Sequence, residues 1–293
     1  MITITGATGQ LGQRIISRLL HLGVPNDHII AAVRSREKAQ QFADQGIEVR
    51  YAEYDEPESL IEAFRGSQKV LFISSDHQDN EKRIQQHGNV VQGTLEAGVP
   101  HIVYTSYIDA HTPSPFSGAV VHETTEKIIR ESGLKWTVLR NGAYTEFLAM
   151  SAEIALRRNE LLSANRAGHV SYVTRNDIAR AAAEVLRGGS IHTNHVYVLT
   201  GSQSLSQRDI TKMLSKRYGN EIKYRQVSWE EYAKEMAMEM NATQQAMSGY
   251  RGMIQAIEEG RMAYISDDID ILAGKPPMTV EEWLSQWWSQ SWK

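Results

Sequence analysis

The sequence predicts an α/β fold in which a doubly wound parallel sheet is followed by a smaller, mainly helical C-terminal lobe. Short apolar segments alternate with amphipathic helical segments from the first residue. A glycine-rich turn follows the first apolar segment, and the alternation weakens beyond about residue 144. Strands that alternate with helices form right-handed crossovers, which place parallel strands in one sheet with helices on both faces. The loss of the alternation marks the start of the lobe.

Six strands are predicted in the first half of the chain, because short apolar runs are bounded there by polar or glycine residues. They occupy residues 2–5, 29–33, 48–54, 70–73, 101–105 and 136–139. Apolar residues at helical spacing predict a helix between the first two strands: Leu11, Ile15, Ile16, Leu19 and Leu20. Further helices are predicted over residues 36–45, 81–97 and 122–131.

The second half of the chain has a looser pattern. Strands are predicted at residues 170–173, 196–199 and 221–227, with a helix at 177–186, and the remainder reads as mostly helical. We therefore expect two parts, residues 1–143 and residues 144–293. The second part is expected to return one strand to the main sheet.

Composition excludes several classes of function. Of the 293 residues, 41% are hydrophobic and 23% charged, which is enough to bury a sizeable core. The 31 Lys and Arg residues are outnumbered by 35 Asp and Glu residues, so a nucleic-acid partner is not indicated. The absence of cysteine excludes disulfides, thiolate metal sites and cysteine nucleophiles.

The sequence also predicts a cytoplasmic protein without a metal site. It contains no apolar run of about 18 residues, so no transmembrane helix is expected. Its first strand leads directly into the glycine-rich turn, without the basic and apolar segments of a secretory leader. The ten histidines show no metal-ligand spacing, and we expect no bound metal.

The turn after the first strand has the context of a dinucleotide-binding turn. Glycines permit a tight turn, close approach of the backbone to a pyrophosphate, and close packing of helix on strand. The phosphates would then face the free N–H groups at a helix N-terminus. An ordinary glycine-rich turn is the alternative, but the βα pattern favours a Rossmann domain that binds NAD(P) over residues 1–143. The turn consists of Gly6, Ala7, Thr8, Gly9, Gln10, Leu11 and Gly12.

The end of the second strand indicates which dinucleotide is bound. An acidic residue at that place would bind the ribose 2′-hydroxyl of NAD, but Arg34 stands there instead. A guanidinium pairs with a 2′-phosphate, so we predict NADPH, with NADH possible but weaker. Arg36 and Lys38 would add positive potential, or they lie on a solvated helix face.

These motifs together resemble the NmrA-like branch of the atypical short-chain dehydrogenases. Within it, the chain is similar to the type 2 NAD(P)H:quinone oxidoreductases and the triphenylmethane reductases. The similarity spans about residues 1–230 and weakens beyond. The matching segments are residues 5–12, 33–34, 72–75, 104–106, 126–127, 139–144 and 173–179.

The resemblance implies roles for residues that all end predicted strands, where parallel sheets bind ligands. Residues 6–12 would hold the pyrophosphate and Arg34 the 2′-phosphate. The resemblance places a serine pair, Ser74 and Ser75, on the ribose side. It places Thr105 and Ser106 on the nicotinamide side. Four consecutive residues would flank the nicotinamide and the substrate mouth: Asn141, Gly142, Ala143 and Tyr144.

The sequence lacks the Tyr-x-x-x-Lys pair that short-chain dehydrogenases use for proton transfer. Glu123 stands four residues before Lys127, where tyrosine would be. Three catalytic candidates remain, each with an alternative. Lys127 would stabilise an oxyanion or the ribose hydroxyls, or it forms a surface pair with Glu123. His122 would donate a proton, or it is an exposed residue at a helix start. Tyr107 would stack on a flat substrate, or it packs in the core.

We therefore predict NADPH-dependent reduction of quinones or related conjugated aromatic electrophiles by direct hydride transfer. A quinone needs no tyrosine, because the reduced oxygen takes its proton from water. A non-catalytic NADP(H)-binding redox sensor is the alternative, which the missing Tyr-x-x-x-Lys pair favours. A sugar-nucleotide epimerase is a weaker alternative, since that reaction needs the same pair.

The C-terminal segment carries two clusters that the predicted reaction does not explain. Seven of ten methionines fall between Met236 and Met278, and they line an adaptable pocket or fill core helices. An apolar stripe near the end docks on the lobe or forms an interface in a homodimer. Membrane association is disfavoured, because acidic residues precede the stripe. Its members are Trp283, Leu284, Trp287, Trp288 and Trp292.

Overall fold

The fold was analysed in a computed structural model, which describes residues 1–239 and 243–291. Within these ranges the strands form two parallel sheets, one of seven strands and one of two. In chain order the strands are β1 Ile2–Ile4, β2 Ile29–Val33, β3 Glu48–Tyr51, β4 Lys69–Ile73, β5 His101–Tyr107, β6 Lys135–Asn141, β7 Glu160–Ser163, β8 His195–Leu199 and β9 Lys223–Gln226.

The large sheet has the strand order β3-β2-β1-β4-β5-β6-β8, with every neighbouring pair parallel. This confirms the predicted doubly wound sheet. The order reverses between β1 and β4, and open parallel sheets bind ligands at such a reversal, beyond the carboxyl ends of the strands. The seventh strand, β8, comes from the second half of the chain and pairs with β6. The small sheet consists of β7 and β9.

Helices cover both faces of the large sheet. Buried apolar side chains of α1 and α7 pack on one face, and those of α3, α4 and α5 pack on the other. The helices are α1 Gln10–His21, α2 Gln40–Ala43, α3 Pro57–Phe64, α4 Asn80–Glu96, α5 Gly118–Glu131, α6 Leu148–Arg158, α7 Arg175–Arg187, α8 Gln207–Tyr218, α9 Trp229–Glu239, α10 Gln244–Glu258, α11 Asp268–Ala273 and α12 Val280–Ser291.

Two predicted elements differ from the structure. The helix expected over residues 36–45 is a 3-10 turn, Glu37–Ala39, followed by the single turn of α2. Residues 170–173 do not form a strand. Instead they make one bridge on each side, Val173 with Tyr144 and Val170 with Leu205, because this segment passes between the main sheet and the lobe. Apolar alternation alone does not reveal such a crossing.

The tryptophan-rich helix α12 packs on the lobe rather than standing free. Trp283, Trp287 and Trp288 contact the buried cluster to which Leu284 belongs. The indoles of Trp283 and Trp287 are stacked with their centroids 6.1 Å apart. Trp292, the last member of the predicted stripe, lies outside the described residues. The docking interpretation therefore accounts for the three tryptophans that the structure describes.

Candidate functional site

The turn between β1 and α1 requires glycine at two positions, one because of its backbone conformation and one because of close packing. Gly6 has a φ of +57°, in the left-handed region that favours glycine. A Cβ atom on Gly12 would lie 2.4 Å from the carbonyl oxygen of Gly6 and 2.8 Å from the Cα of Ala7. The first turn of α1 therefore sits directly against the end of β1, and its N-terminus points past the carboxyl edge of the sheet.

The N-terminus of α1 fits the pyrophosphate of a dinucleotide. Its cap residue is Gly9, no side chain caps the helix, and the first turn contains no acidic residue. The first N–H groups thus have no side-chain acceptor, and the helix dipole adds partial positive charge. A backbone cradle that a Cβ would fill, together with uncapped N–H groups, is what a bound phosphate requires.

The end of β2 presents positive charge. Arg34 follows the last residue of that strand and is exposed, and no described carboxylate lies within ion-pair distance of it. Arg36 and Lys38 are also exposed, and neither has an ion-pair partner in the described part of the chain. An unpaired guanidinium at this place fits a 2′-phosphate. Its role in binding stays a proposal.

A hydrogen-bond triangle fixes the glycine turn against β4. The hydroxyl of Tyr54 donates to the carbonyl of Ile73 over 2.7 Å. Its oxygen accepts from the hydroxyl of Thr5 over 2.6 Å, and that hydroxyl accepts from the Ile73 N–H over 2.9 Å. Burial raises the pKa of Tyr54, so it remains a neutral donor. Tyr54 was not recognised from the sequence, because a tyrosine after an exposed strand gives no signal of its partners.

The serine pair after β4 is held by a buried histidine. The N–H of Ser75 donates to Nε2 of His87 over 3.0 Å, so Nδ1 carries the proton and donates to Thr125 Oγ1 over 2.7 Å. Burial lowers the pKa of His87 to about 2 and keeps it neutral. The N–H of Ser74 donates to Thr105 Oγ1 over 3.0 Å. Thr105 thus positions the loop after β4 through its hydroxyl.

The orientation of helix α5 decides between the alternatives left open for Lys127 and His122. Glu123 is partly exposed and Lys127 is exposed, with the Lys127 Nζ 4.0 Å from Glu131 on the same helix. The predicted surface pair of Lys127 with Glu123 is therefore wrong. His122 and Glu126, also four residues apart, face inward and are buried. Lys127 therefore lies on the exposed face of α5.

Glu126 is the centre of a buried ion cluster. Its side chain is 1% exposed and accepts two hydrogen bonds from Arg140, at 2.9 and 2.8 Å, and one from Arg130 at 2.7 Å. The hydroxyl of Ser106 donates to it over 2.6 Å. Burial alone would raise the pKa of Glu126, but these donors together lower it. Ser106 was expected on the nicotinamide side, but its hydroxyl hydrogen is donated to Glu126.

His122 is buried in α5, not exposed at its start as the alternative interpretation had it. Its Nδ1 lies 2.8 Å from the hydroxyl of Tyr104, and its ring centroid is 6.0 Å from that of Tyr107. Burial lowers the pKa of His122 to about 3, so the ring is neutral at physiological pH. A proton from His122 to a substrate would have to come from a neutral imidazole.

Arg83 is a charged residue of the site that sequence reasoning missed. It lies on α4, donates to the Ser74 hydroxyl over 3.1 Å, and its buried Nε has no hydrogen-bond partner. No described carboxylate lies within ion-pair distance of it. The one sequence signal for Arg83 is its spacing: it lies four residues before the buried His87, and therefore on the same face of α4. Its guanidinium adds positive charge at the carboxyl end of β4.

The loop after β6 closes the edge of the site. The guanidinium carbon of Arg175 lies 4.2 Å from the ring centroid of Tyr144, and Arg175 pairs with Glu146 at 3.3 Å. A Cβ on Gly142 would lie 3.0 Å from the carbonyl oxygen of Ser171, so glycine permits this crossing. Oδ1 of the neighbouring buried Asn141 has no hydrogen-bond partner. An unpaired oxygen here fits a donor on a bound ligand.

A cavity of about 290 Å³ lies between this edge and the lobe. Tyr107 at the end of β5 and Ala143 after β6 line it on the sheet side, and α6, α9 and α10 line it on the lobe side. The Tyr107 hydroxyl donates to the sulfur of Met262 over 3.3 Å. None of its described lining residues carries a charge. The methionines that line it are Met150, Met236, Met253 and Met262.

The described residues offer neither a metal site nor a membrane-spanning helix. Within residues 1–239 and 243–291, no group of three or more histidine, aspartate or glutamate side chains could hold a metal ion. No helix in the same ranges is long and apolar enough to cross a membrane.

The sheet, the glycine cradle and the adjoining cavity define a dinucleotide-binding α/β protein. A model of the NmrA-like family matches residues 1–284. Quinone oxidoreductase 2 of Escherichia coli (strain K12) is 40% identical over 233 residues, which cover 80% of this chain and 80% of that protein. The chain belongs to the NmrA-like family, and the resemblance inferred from the motifs is confirmed.

Two solved structures are similar over nearly the whole chain. The Citrobacter sp. triphenylmethane reductase complexed with NADP(H) has a TM-score of 0.91 and 38% identity, covering 98% of this chain and 99% of that one. The NADPH complex of the NADPH-dependent quinone oxidoreductase QOR2 from Escherichia coli has a TM-score of 0.91 and 35% identity, with the same coverage.

The close approach at Gly12 gives a first prediction. Gly12→Ala places a methyl group within 2.4 Å of the Gly6 carbonyl, so the turn must shift. We expect NADPH binding to weaken at least about tenfold and the free energy of unfolding to fall by about 2 kcal/mol. Gly88→Ala on α4 is the control, because no atom lies within 4 Å of its added methyl. Wild-type affinity in folded Gly12→Ala protein would contradict the cradle.

The buried carboxylate gives a prediction for pH dependence. Because the folded pKa of Glu126 is lowered, its contribution to stability is present above the unfolded pKa of about 4.3 and is lost as pH falls through the folded pKa. Glu126→Gln should therefore lower the free energy of unfolding by about 3 kcal/mol at neutral pH, and the difference from wild type should shrink in acid. Urea unfolding across pH measures this.

The matched control for this variant is Glu131→Gln, on the exposed face of the same helix. We expect its stability to follow the wild type at every pH, since an exposed ion pair contributes little. A loss at Glu126→Gln that does not change with pH would mean that packing, rather than charge, carries the effect.

Proposed function

We propose that the protein reduces quinones or related conjugated aromatic electrophiles by direct transfer of a hydride from NADPH. The observation that carries the proposal is the uncharged cavity, which adjoins the carboxyl edge of the sheet at Tyr107 and Ala143. A flat apolar acceptor placed there would lie beside the strand ends where dinucleotides bind.

The chain is an NAD(P)H-dependent oxidoreductase, and NADPH is its cofactor, as the relatives above support. When bound, NADPH supplies the hydride. The uncapped N-terminus of α1 would hold the pyrophosphate, and Arg34 would hold the 2′-phosphate. Arg83 and the loop at residues 141–144 would face the nicotinamide half. These residue roles rest on position and charge.

The side chains around the cavity serve orientation rather than proton transfer. His122 is buried and neutral, and Lys127 points to solvent beside Glu131. No described side chain that lines the cavity is a carboxylate, an imidazole or a cation. A quinone suits such a site, because it accepts the hydride as an electron pair with one proton, and its second proton comes from water to give the hydroquinone. We therefore propose that catalysis relies on proximity and exclusion of competing acceptors.

We propose different roles for the two parts of the chain. Residues 1–143 would bind the cofactor, and residues 144–293 would supply the lobe side of the cavity and the returned strand β8. The four methionines in the lining would adapt to acceptors of different shape. A cytoplasmic location stays a prediction from the sequence.

Turnover is the direct test of the proposed function. Purified protein mixed with NADPH and 1,4-naphthoquinone should oxidise NADPH, measured by the fall of nicotinamide absorbance, and should form the hydroquinone in equal amount. A nucleoside-diphosphate sugar should give no such signal. Tight NADPH binding without oxidation by any quinone would support the sensor alternative and reject the reductase.

The choice of cofactor depends on Arg34. Replacing it with alanine removes the charge-assisted hydrogen bonds to the 2′-phosphate, so we expect the Kd for NADPH to rise about 10- to 100-fold. The Kd for NADH, which lacks that phosphate, should stay close to wild type. Arg36→Ala is the matched control and should affect NADPH much less. An equal loss for both cofactors in Arg34→Ala would refute the assignment.

A further inference from the structure

The lobe side of the cavity carries a small polar patch. Four side chains form it: Tyr172, from the crossing segment; Gln207, at the start of α8; Tyr232, on α9; and Tyr250, on α10. Tyr172 is 8% exposed and Tyr232 is 6% exposed. Buried hydroxyl groups need hydrogen-bond partners, so their bonding decides what else this patch can bind.

Two of the three phenols have a hydrogen left to donate. The amide Nε2 of Gln207 donates to the Tyr172 hydroxyl oxygen over 3.2 Å. The Tyr232 hydroxyl donates to the Tyr250 hydroxyl oxygen over 3.3 Å. Tyr172 and Tyr250 are thus acceptors in these bonds. Within the described residues, neither phenol hydrogen has an acceptor.

The other polar side chains of the lining are already satisfied. Ser151 donates to the carbonyl of Leu148 over 3.0 Å, and Ser163 donates to the carbonyl of Asn165 over 3.2 Å. Asn165 uses both ends of its amide on the backbone of Gly168. Among the described side chains of this lining, Tyr172 and Tyr250 therefore supply the O–H donors that have no acceptor.

The state of these phenols selects the kind of group that they bind. Both phenols line the same cavity. Burial raises the pKa of Tyr172, and repulsion from the phenolate of Tyr250 raises it further. Burial also raises the pKa of Tyr250. Both remain neutral O–H donors, so they suit an electron-rich oxygen atom. The lining offers no carboxylate to balance a cationic ligand.

We propose that Tyr172 and Tyr250 donate hydrogen bonds to a carbonyl oxygen of the acceptor. The patch would make the site select neutral acceptors that carry a carbonyl oxygen, such as para-quinones, over cationic triphenylmethane dyes that carry no oxygen. This selectivity rests on the proposed function, because it assumes that the cavity holds the acceptor. In this proposal the hydroxyl groups of Tyr172 and Tyr250, rather than the shape of the cavity, determine which acceptor binds.

Removal of single hydroxyl groups tests the proposal. Tyr172→Phe and Tyr250→Phe keep the rings and delete one donor each. Binding is measured on protein saturated with NADP⁺, where no turnover occurs, by titration calorimetry with 1,4-naphthoquinone, naphthalene and an oxygen-free triphenylmethane dye. Each variant should weaken naphthoquinone binding about five- to tenfold and leave naphthalene and the dye unchanged. Tyr218→Phe, on α8 outside this cavity, is the matched control.

Three results would overturn the proposal. These are unchanged naphthoquinone binding in both folded variants, equal weakening for naphthalene, and failure of the wild type to bind naphthoquinone. Dye binding that exceeds naphthoquinone binding and survives both changes would instead point to the aromatic faces as a cation site. Since binding is measured without turnover, a protein that binds quinone through these tyrosines but never oxidises NADPH would reject the proposed function alone.

Discussion

The contact between Gly12 and the Gly6 carbonyl is the constraint on which the candidate site depends. Because no Cβ intervenes, the first turn of α1 packs against the end of β1, and its free N–H groups reach the reversal point of the sheet. The triangle of Thr5, Tyr54 and Ile73 then joins this turn to β4. Any larger residue at position 12 would displace the helix from the sheet and misdirect its dipole.

Charge is distributed unequally across the site. The cofactor side combines the α1 dipole with the unpaired guanidinium groups of Arg34 and Arg83, whereas the described lining of the acceptor cavity has no charged side chain. The buried carboxylate nearby, Glu126, is neutralised by Arg130 and Arg140. This separation suits an anionic dinucleotide on one side and a neutral aromatic acceptor on the other.

The sequence predicted the sheet and the glycine turn well, because both depend on local patterns. The glycine spacing, the apolar strands and Arg34 at a strand end are each visible within a few residues. The orientation of α5 was left open by the sequence, since Lys127 could serve the cofactor or an oxyanion, or form a surface pair with Glu123. The helix instead turns His122 and Glu126 to the core, where Arg140 and Ser106 compensate the charge.

The roles proposed for Arg83 and for the phenols of Tyr172 and Tyr250 could not be predicted, because they depend on segments that are distant in the sequence. Tyr172, on the crossing segment, and Tyr250, on α10, come to line the same cavity only through the fold. The methionine cluster left open whether its members line a pocket or fill core helices.

Isotope transfer tests the central claim, that this edge and this cavity form one site for direct hydride transfer. Single-turnover oxidation of NADPH by 1,4-naphthoquinone should slow when one C4 hydrogen of the nicotinamide is deuterium and not when the other is. This result requires a fixed nicotinamide face opposite the acceptor. Equal rates for both labelled cofactors, with the chemical step shown to limit the turnover, would contradict the account.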